Sequence, residues 1–144
     1  MTHAEPPLQR VQASFERQGL IRHWGAQLER VEPGVCVLSL PYSDKVTQQQ
    51  AGFHGGAMGA LADIAAGYAG LTRAPAGMEV VSVEYKVNFL ASCQGGKLRA
   101  IGRVIKAGKR VIVTSAEVVH VSDEGLETAC AVLQQTLMAV PKTY

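Results

Sequence analysis

The feature that most constrains the fold is an alternation of apolar and polar residues that fills the second half of the chain. A period of two residues is typical of β-strands, because successive side chains point to opposite faces of a sheet. Short turns join the last three alternating segments, and short connections between neighbouring strands indicate antiparallel pairing. The alternation therefore predicts four strands, at about residues 80–90, 97–107, 110–121 and 126–140.

The first of these strands carries apolar residues at every odd position from 81 to 89 and polar residues at the even positions between them. Strict alternation predicts that Ser82 lies on the opposite face from Tyr85 and Phe89. We therefore expect one apolar face and one polar face along this strand, with Ser82 on the polar one.

The N-terminal part of the chain begins with a helical pattern. Leu8, Val11 and Phe15 follow the spacing of one helix face, which predicts a short helix within residues 1–20. Gly19 is a plausible stop signal for this helix, because glycine is common just beyond a helix end.

The remaining segments complete an α+β fold. Two apolar stretches, 22–31 and 35–42, flank the turn sequence E-P-G and predict a hairpin. After a polar loop, residues 55–72 are the only other helix candidate, and a long one. One long helix and about six mostly antiparallel strands suit a single domain over residues 1–144. One helix covers only one face of such a sheet. The other face and the sheet edges stay exposed, so we expect a partner chain to cover them.

Composition narrows the class of protein. Hydrophobic residues make up 47% and charged residues 18% of the chain, as in a packed globule, and the net charge of +2 gives no reason to expect nucleic acid. Three cysteines without C-x-x-C spacing and four histidines without ligand spacing predict neither disulfides nor a metal site. With no signal-peptide pattern at the N-terminus, we expect a cytoplasmic protein. We expect no membrane span either, because Asp63 interrupts the uncharged segment 51–71.

The long helix has an unusual stripe around its single carboxylate. A solvent-facing stripe normally carries long polar side chains, and each interior glycine costs about 0.5–1 kcal/mol relative to alanine. Glycines around Asp63 therefore indicate that a ligand or another backbone comes close. Projected on a helix, the residues within about 60° of Asp63 are Gly56, Gly59, Ala60, Ala66, Gly67 and Gly70.

The start of the same helix predicts a site for developing negative charge. The first amides of a helix have no intrahelical partner, and at Gly55 and Gly56 a substrate carbonyl could reach them. Gly56 and Asp63 are seven residues apart, or roughly 10 Å along a helix, so they cannot act on the same carbonyl within one chain. Two antiparallel copies of the helix would place Asp63 of one chain opposite Gly56 of the other, which predicts a homodimer with two composite sites.

The segment F-H-G-G-A-M-G-A-L-A-D at 53–63, followed by the strand V-S-V-E-Y-K-V-N-F-L, resembles the phenylacetate-pathway type of hotdog-fold acyl-CoA thioesterase. The resemblance spans about residues 40–140. It implies a long helix wrapped by an antiparallel sheet, and dimers that often pair into tetramers. It also implies that Gly55 or Gly56 binds the thioester carbonyl and that Asp63 acts as general base or nucleophile.

The same resemblance implies roles for residues around the site. His54 would shape the site, and Ser82 would hold a water or a substrate group. Gln48 would bind substrate, and it stands where the family often has asparagine, which is one methylene shorter. Phe53 would contact substrate, and Met58 and Phe89 would join it in the pocket walls. Arg103, Lys106, Lys109 and Arg110 flank one hairpin and could meet the CoA phosphates, although a solvated charged turn explains them as well.

The expected reaction is hydrolysis of an aryl- or medium-chain acyl-CoA, with no cofactor beyond the CoA of the substrate. A thioester carbonyl is already electrophilic, so the site must stabilise an oxyanion and deliver a nucleophile. Two alternatives remain open: a hydratase or dehydratase acting on an acyl thioester, and a non-catalytic acyl-CoA-binding module. The sequence does not distinguish aryl-acetyl, benzoyl and medium-chain acyl groups.

Overall fold

The structure is a computed structural model that describes residues 5–144. Three α-helices and six β-strands make up most of this length. In chain order they are α1 (Pro7–Phe15), α2 (Gly19–Trp24), β1 (Gln27–Glu32), β2 (Val35–Pro41), α3 (Gly55–Leu71), β3 (Met78–Phe89), β4 (Lys97–Ala107), β5 (Val111–Val121) and β6 (Glu127–Pro141), with a 3₁₀ turn at Asp44–Val46 before α3.

The six strands form one antiparallel sheet in the order β1-β2-β4-β5-β6-β3. The long helix α3 lies across one face of this sheet and contacts β2, β3, β4, β5 and β6. This arrangement confirms the predicted α+β fold, with one long helix on a six-stranded antiparallel sheet and a short helix at the N-terminus.

Close contact between α3 and the sheet depends on small residues. A Cβ atom on Gly70 would lie 2.3 Å from Leu137 Cδ1 and 3.4 Å from Thr114 Cγ2. Leu61, Ala65 and Leu71 on the same helix are fully or almost fully buried. Gly70 therefore lies on the side of α3 that packs against the sheet, although the sequence placed it on the stripe around Asp63.

The N-terminal segments differ from the sequence prediction in two places. The first helix ends at Phe15, and Gly19 begins the second helix instead of stopping the first. The segment 22–31 is not one strand, because α2 runs to Trp24 and β1 begins at Gln27. The helix α2 stops at Gly25, which has a φ of +77°, a conformation that glycine adopts without steric cost. The predicted turn at 32–34 is confirmed.

A β-bulge in β3 overturns the predicted faces of that strand. Ser82 pairs with Leu137 and Glu84 with Thr136, so Val83 is an extra residue in the ladder. An extra residue reverses the alternation, so Ser82 shares a face with Tyr85 and the residues that follow at odd positions. Ser82 therefore faces α3, and the expectation of a separate polar face was wrong.

The strand β3 forms one edge of the sheet and is unusually exposed. It pairs with β6 on one side, and no strand of residues 5–144 pairs with it on the other. Val81 is 47% exposed and Val83 is 59% exposed. A long apolar edge of this kind favours addition of another strand unless it is covered.

Candidate active site

The carboxylate of Asp63 lies half-buried on α3, beside β3 and β6. The Ser82 hydroxyl donates a 2.6 Å hydrogen bond to Asp63 Oδ1. The side-chain amide of Gln135 donates to the same oxygen, and it also donates a 3.1 Å hydrogen bond to the Ser82 hydroxyl oxygen. These three side chains come from three different elements, and the bulge in β3 is what brings Ser82 into the group.

Gln135 and its partner Thr114 are members of this network that the sequence prediction missed. Gln135 is fully buried in β6, and Thr114 is fully buried directly opposite it in β5. The Thr114 hydroxyl donates a 3.0 Å hydrogen bond to Gln135 Oε1. Their signal in the sequence is a polar residue in an otherwise apolar strand face, such as Gln135 between Leu133 and Leu137.

The second oxygen of Asp63 is left available. Ser82 and Gln135 both donate to Oδ1, and Oδ2 accepts no hydrogen bond from a side chain among the described residues. Asp63 also lines a cavity of roughly 350 Å³, which falls in the size range of small-molecule sites. One carboxylate oxygen is thus held by the protein while the other can act on a bound molecule.

The far wall of this cavity is polar and comes partly from the N-terminal helices. Burial raises the pKa of the Tyr68 phenol to about 12, although hydrogen bonds with Ser14 and Gln18 partly lower it. Tyr68 is therefore a neutral hydroxyl at physiological pH. The polar residues that line the cavity around Asp63 are Ser14, Arg17, Gln18, Tyr68, Glu79, Ser82 and Tyr144.

The first turn of α3 leaves one free amide. His54 is the N-cap, and its Nδ1 accepts a 2.7 Å hydrogen bond from the Gly56 N–H. The amides of Ala57 and Met58 donate to the His54 carbonyl. The Gly55 N–H has no acceptor in the part of the chain that the structure describes. Of the two glycine amides predicted to bind an oxyanion, Gly56 is therefore already occupied in this structure and Gly55 is the one without an acceptor.

Gly55 and Asp63 do not meet within one chain. They are eight residues apart on the same helix, or roughly 12 Å along its axis. The predicted site combines a carboxylate with a free amide. One chain provides both groups, but at positions too far apart to act on the same carbonyl.

The structure gives the other predicted binding residues different surroundings. Phe53 is only 3% exposed and packs edge-on against Tyr42 and His120, so it belongs to the core of this chain. Phe89 is 53% exposed, and its ring would contact a Cβ added at Gly55. Gln48 Oε1 accepts from the Gln50 amide within the loop before α3.

None of the four candidate CoA-phosphate cations lines the cavity beside Asp63. Arg103 and Lys106 line a groove with Arg73 and the turn at 33–35, toward the β1 side of the sheet. Lys109 and Arg110 lie at the turn between β4 and β5.

The glycine stripe divides into two groups with different surroundings. Cβ atoms on Gly59 and Gly67 would meet no heavy atom within 4 Å, whereas one on Gly70 would clash with the sheet. Ala66 is fully buried. The stripe that is open to a ligand or a second chain is therefore shorter than the sequence suggested and is centred on Gly59, Asp63 and Gly67.

The described residues contain neither a cluster of metal ligands nor a membrane-spanning helix. Within residues 5–144, no three histidine, cysteine, aspartate or glutamate side chains cluster as metal ligands would. None of the described helices has both the length and the apolar character needed to cross a bilayer.

Comparison with known proteins places the chain in a family. The profile of the thioesterase superfamily matches residues 52–127, which include the start of α3, Asp63 and Ser82. The chain belongs to the thioesterase superfamily. This thioesterase is also 31% identical, over 114 residues, to a candidate esterase of Saccharolobus solfataricus, with 78% of this chain and 81% of that protein covered.

Solved structures support the same assignment. A thioesterase family protein from Silicibacter pomeroyi superposes on this thioesterase with a TM-score of 0.91 and 33% identity, covering 94% of this chain and 99% of that one. The PaaI protein of the E. coli phenylacetic acid degradation operon has a TM-score of 0.83 and 22% identity, with 95% of each chain covered. The fold is therefore the hotdog fold, and the protein is a hydrolase that acts on thioesters.

Proposed function

We propose that this thioesterase hydrolyses an acyl-CoA to a free acid and CoA, with Asp63 as its catalytic carboxylate. The observation that carries the proposal is the state of that carboxylate. Ser82 and Gln135 hold Oδ1, while Oδ2 is free beside a cavity of roughly 350 Å³. A carboxylate that is oriented by donors on one oxygen and open on the other is suited to act on a water molecule or on an acyl carbon.

Two routes use the same geometry. As a general base, Asp63 removes a proton from water, the resulting hydroxide attacks the thioester carbon, and the CoA thiolate leaves. As a nucleophile, Asp63 attacks that carbon itself, CoA leaves, and water then hydrolyses the mixed anhydride to the acid. In both routes negative charge develops on the carbonyl oxygen, and a well-placed amide donor is worth about 100- to 1000-fold in rate.

The amide donor in this proposal is Gly55 of a second copy of the chain. Gly55 and Asp63 are roughly 12 Å apart on their own helix, so a carbonyl bound to one is out of reach of the other. A Cβ on Gly59 or Gly67 would meet no heavy atom within 4 Å, which leaves space for an antiparallel second α3 to approach. The exposed edge strand β3 offers a continuous place for two sheets to join, so we propose a homodimer with two composite sites, which can pair further into a tetramer.

The acyl group in this proposal is aryl or medium-chain, and the reaction needs no cofactor, because the thioester supplies its own electrophile. We propose a cytoplasmic location. Cys36, Cys93 and Cys130 are free thiols, which fits a reducing compartment.

The test is release of CoA from a panel of phenylacetyl, benzoyl and medium-chain acyl-CoAs, followed with a thiol reagent. We expect hydrolysis of at least one substrate. Asp63→Asn should lower kcat by about 100- to 10,000-fold, as for the loss of a positioned base. Asp123→Asn, on an exposed turn, is the matched control and should keep full activity. Absence of CoA release for every acyl group, while acyl-CoA still binds, would favour the binding-module alternative.

The hydratase alternative is tested with an enoyl-CoA. Hydration would consume the double bond and leave the thioester intact, whereas hydrolysis would release CoA. A hydroxyacyl-CoA product without free CoA would contradict the proposed function.

A further inference from the structure

We infer that Gln135 and Thr114 are positioning residues, which orient Asp63 for the reaction. The inference rests on the proposed function, because it assigns these buried residues a task in the same site. Neither residue reaches the cavity itself, so both would act only through the carboxylate.

The burial of Gln135 is the first step. Its side chain is fully buried in β6, at a position that faces α3 and follows the buried Leu133. A primary amide placed in a core costs free energy unless its hydrogen-bonding groups find partners. An apolar side chain of similar size would fill this space without that cost, so packing alone gives no reason for glutamine here.

The second step is the direction of the amide. The carboxylate of Asp63 can only accept hydrogen bonds, so Gln135 stabilises it with its Nε2 group and would repel it with its Oε1 atom. In the structure Nε2 donates to Asp63 and to Ser82, while Oε1 accepts a 3.0 Å hydrogen bond from Thr114. A hydroxyl opposite Oε1 thus selects the amide orientation that supports the carboxylate.

The third step is what holds Thr114. It lies directly opposite Gln135 in the antiparallel ladder of β5 and β6, and it is itself fully buried. A Cβ on Gly70 would stand 3.4 Å from Thr114 Cγ2, which places the methyl group against the helix. The methyl and hydroxyl groups of threonine are both attached to Cβ, so one χ1 angle fixes the direction of both. Packing of the methyl group therefore directs the hydroxyl toward Gln135.

The result is a chain of three contacts from a packed methyl group to the reactive carboxylate. The helix packs on Thr114, Thr114 fixes the Gln135 amide, and Gln135 fixes Asp63 Oδ1. With Oδ1 held by Gln135 and Ser82, Oδ2 is the oxygen that is left without a side-chain donor in the described residues. Alignment of this kind affects turnover more than substrate binding, because neither Gln135 nor Thr114 is among the residues that line the cavity.

The experiment compares Thr114→Val with Thr114→Ser in the full-length protein. Thr114→Val keeps the shape and removes the hydroxyl, and we expect kcat to fall about tenfold, the rate equivalent of one ordinary hydrogen bond, with KM changed less than twofold. Thr114→Ser keeps the hydroxyl but lacks the methyl group that directs it, so it should lose clearly less activity than Thr114→Val. Equal losses for the two variants, or a loss confined to KM, would overturn the inference.

A double-mutant cycle separates positioning from general stability. Gln135→Met removes the donor to Asp63, and we expect a fall of about 10- to 100-fold in kcat, since hydrogen bonds to charged groups are the stronger ones. Adding Thr114→Val to Gln135→Met should cause no further fall, because Thr114 has lost the group through which it acts. Additive losses would mean that the two residues only stabilise the fold, and would refute the inference.

A readout without turnover distinguishes this inference from the proposed function. In wild-type protein the side-chain amide protons of Gln135 should exchange slowly with solvent in NMR spectra. Thr114→Val should make them exchange at least tenfold faster at a temperature where both proteins are fully folded. Wild-type protein that hydrolyses no acyl-CoA would refute the proposed function. Fast exchange of this amide in wild-type protein would refute the positioning network alone.

Discussion

A Cβ atom on Gly102 would lie 2.2 Å from the carbonyl oxygen of Ala65, so β4 touches the backbone of α3 at this point. Real Cβ atoms do not approach a carbonyl oxygen this closely, and neither partner is a flexible side chain that could move aside. The helix that carries Asp63 can therefore approach β4 this closely only because residue 102 has no side chain.

Replacing Gly102 by alanine should destabilise the protein. The new methyl group would force α3 away from β4, and overpacking of this kind costs about 1–3 kcal/mol or more. The measurement is the free energy of unfolding from urea titration. Gly19→Ala is the matched control, since a Cβ on Gly19 meets no atom within 4 Å, and it should be neutral or slightly stabilising. Equal stability of both variants would contradict the close contact.

Gly55→Pro should remove the oxyanion donor while sparing the helix. Proline is well tolerated at the first helical position, and the preceding residue, His54, has a ψ of 136°, which a following proline favours. We expect kcat to fall about 100- to 1000-fold, as for the loss of one oxyanion donor. Gly55→Ala keeps the amide and adds a methyl group near the Phe89 ring, so it serves as the steric control. Similar kcat values for the two variants would rule out Gly55 as the donor.

Mixing two inactive variants should restore activity if the sites are composite. In a heterodimer of Asp63→Asn and Gly55→Pro chains, one site contains two altered residues and the other contains none. Random pairing should give about a quarter of wild-type activity, because half of the dimers carry one intact site out of two. The measurement is the acyl-CoA hydrolysis rate after joint refolding of equal amounts. Activity that stays at the level of the separate variants would show that each site lies within one chain.

Alkaline pH should destabilise the protein through its buried thiols. Burial raises the pKa of Cys36 from 9.0 to about 12. Between these values the unfolded chain loses the proton and the folded chain keeps it, so this contribution to stability is complete below pH 9 and declines as pH rises toward 12. Above pH 9 the free energy of unfolding should fall less steeply in Cys36→Ala than in wild type, by at most about 1.4 kcal/mol per pH unit. Parallel curves for the two proteins would contradict this assignment.

Most of the secondary structure followed from local pattern. The alternation from about residue 80 and the helix candidate at 55–72 rest on short-range features, and the structure confirms four strands and a 17-residue helix there. The boundary near Gly19 was wrong because glycine begins a helix there, and one residue type serves as either signal. The bulge at Val83 could not be read from alternation, since the residues on both sides keep the same polar and apolar order.

The sequence by itself determined that a lone carboxylate, Asp63, lies on a glycine-lined helix that begins with a free amide. Those are properties of one segment, fixed by spacing along a single helix. Only the tertiary structure decided which side chains meet Asp63, because Ser82, Gln135 and Thr114 come from strands that are distant in the chain and adjacent in the sheet. The strand pairing and the bulge set those contacts, and both depend on the packing of the whole sheet against α3.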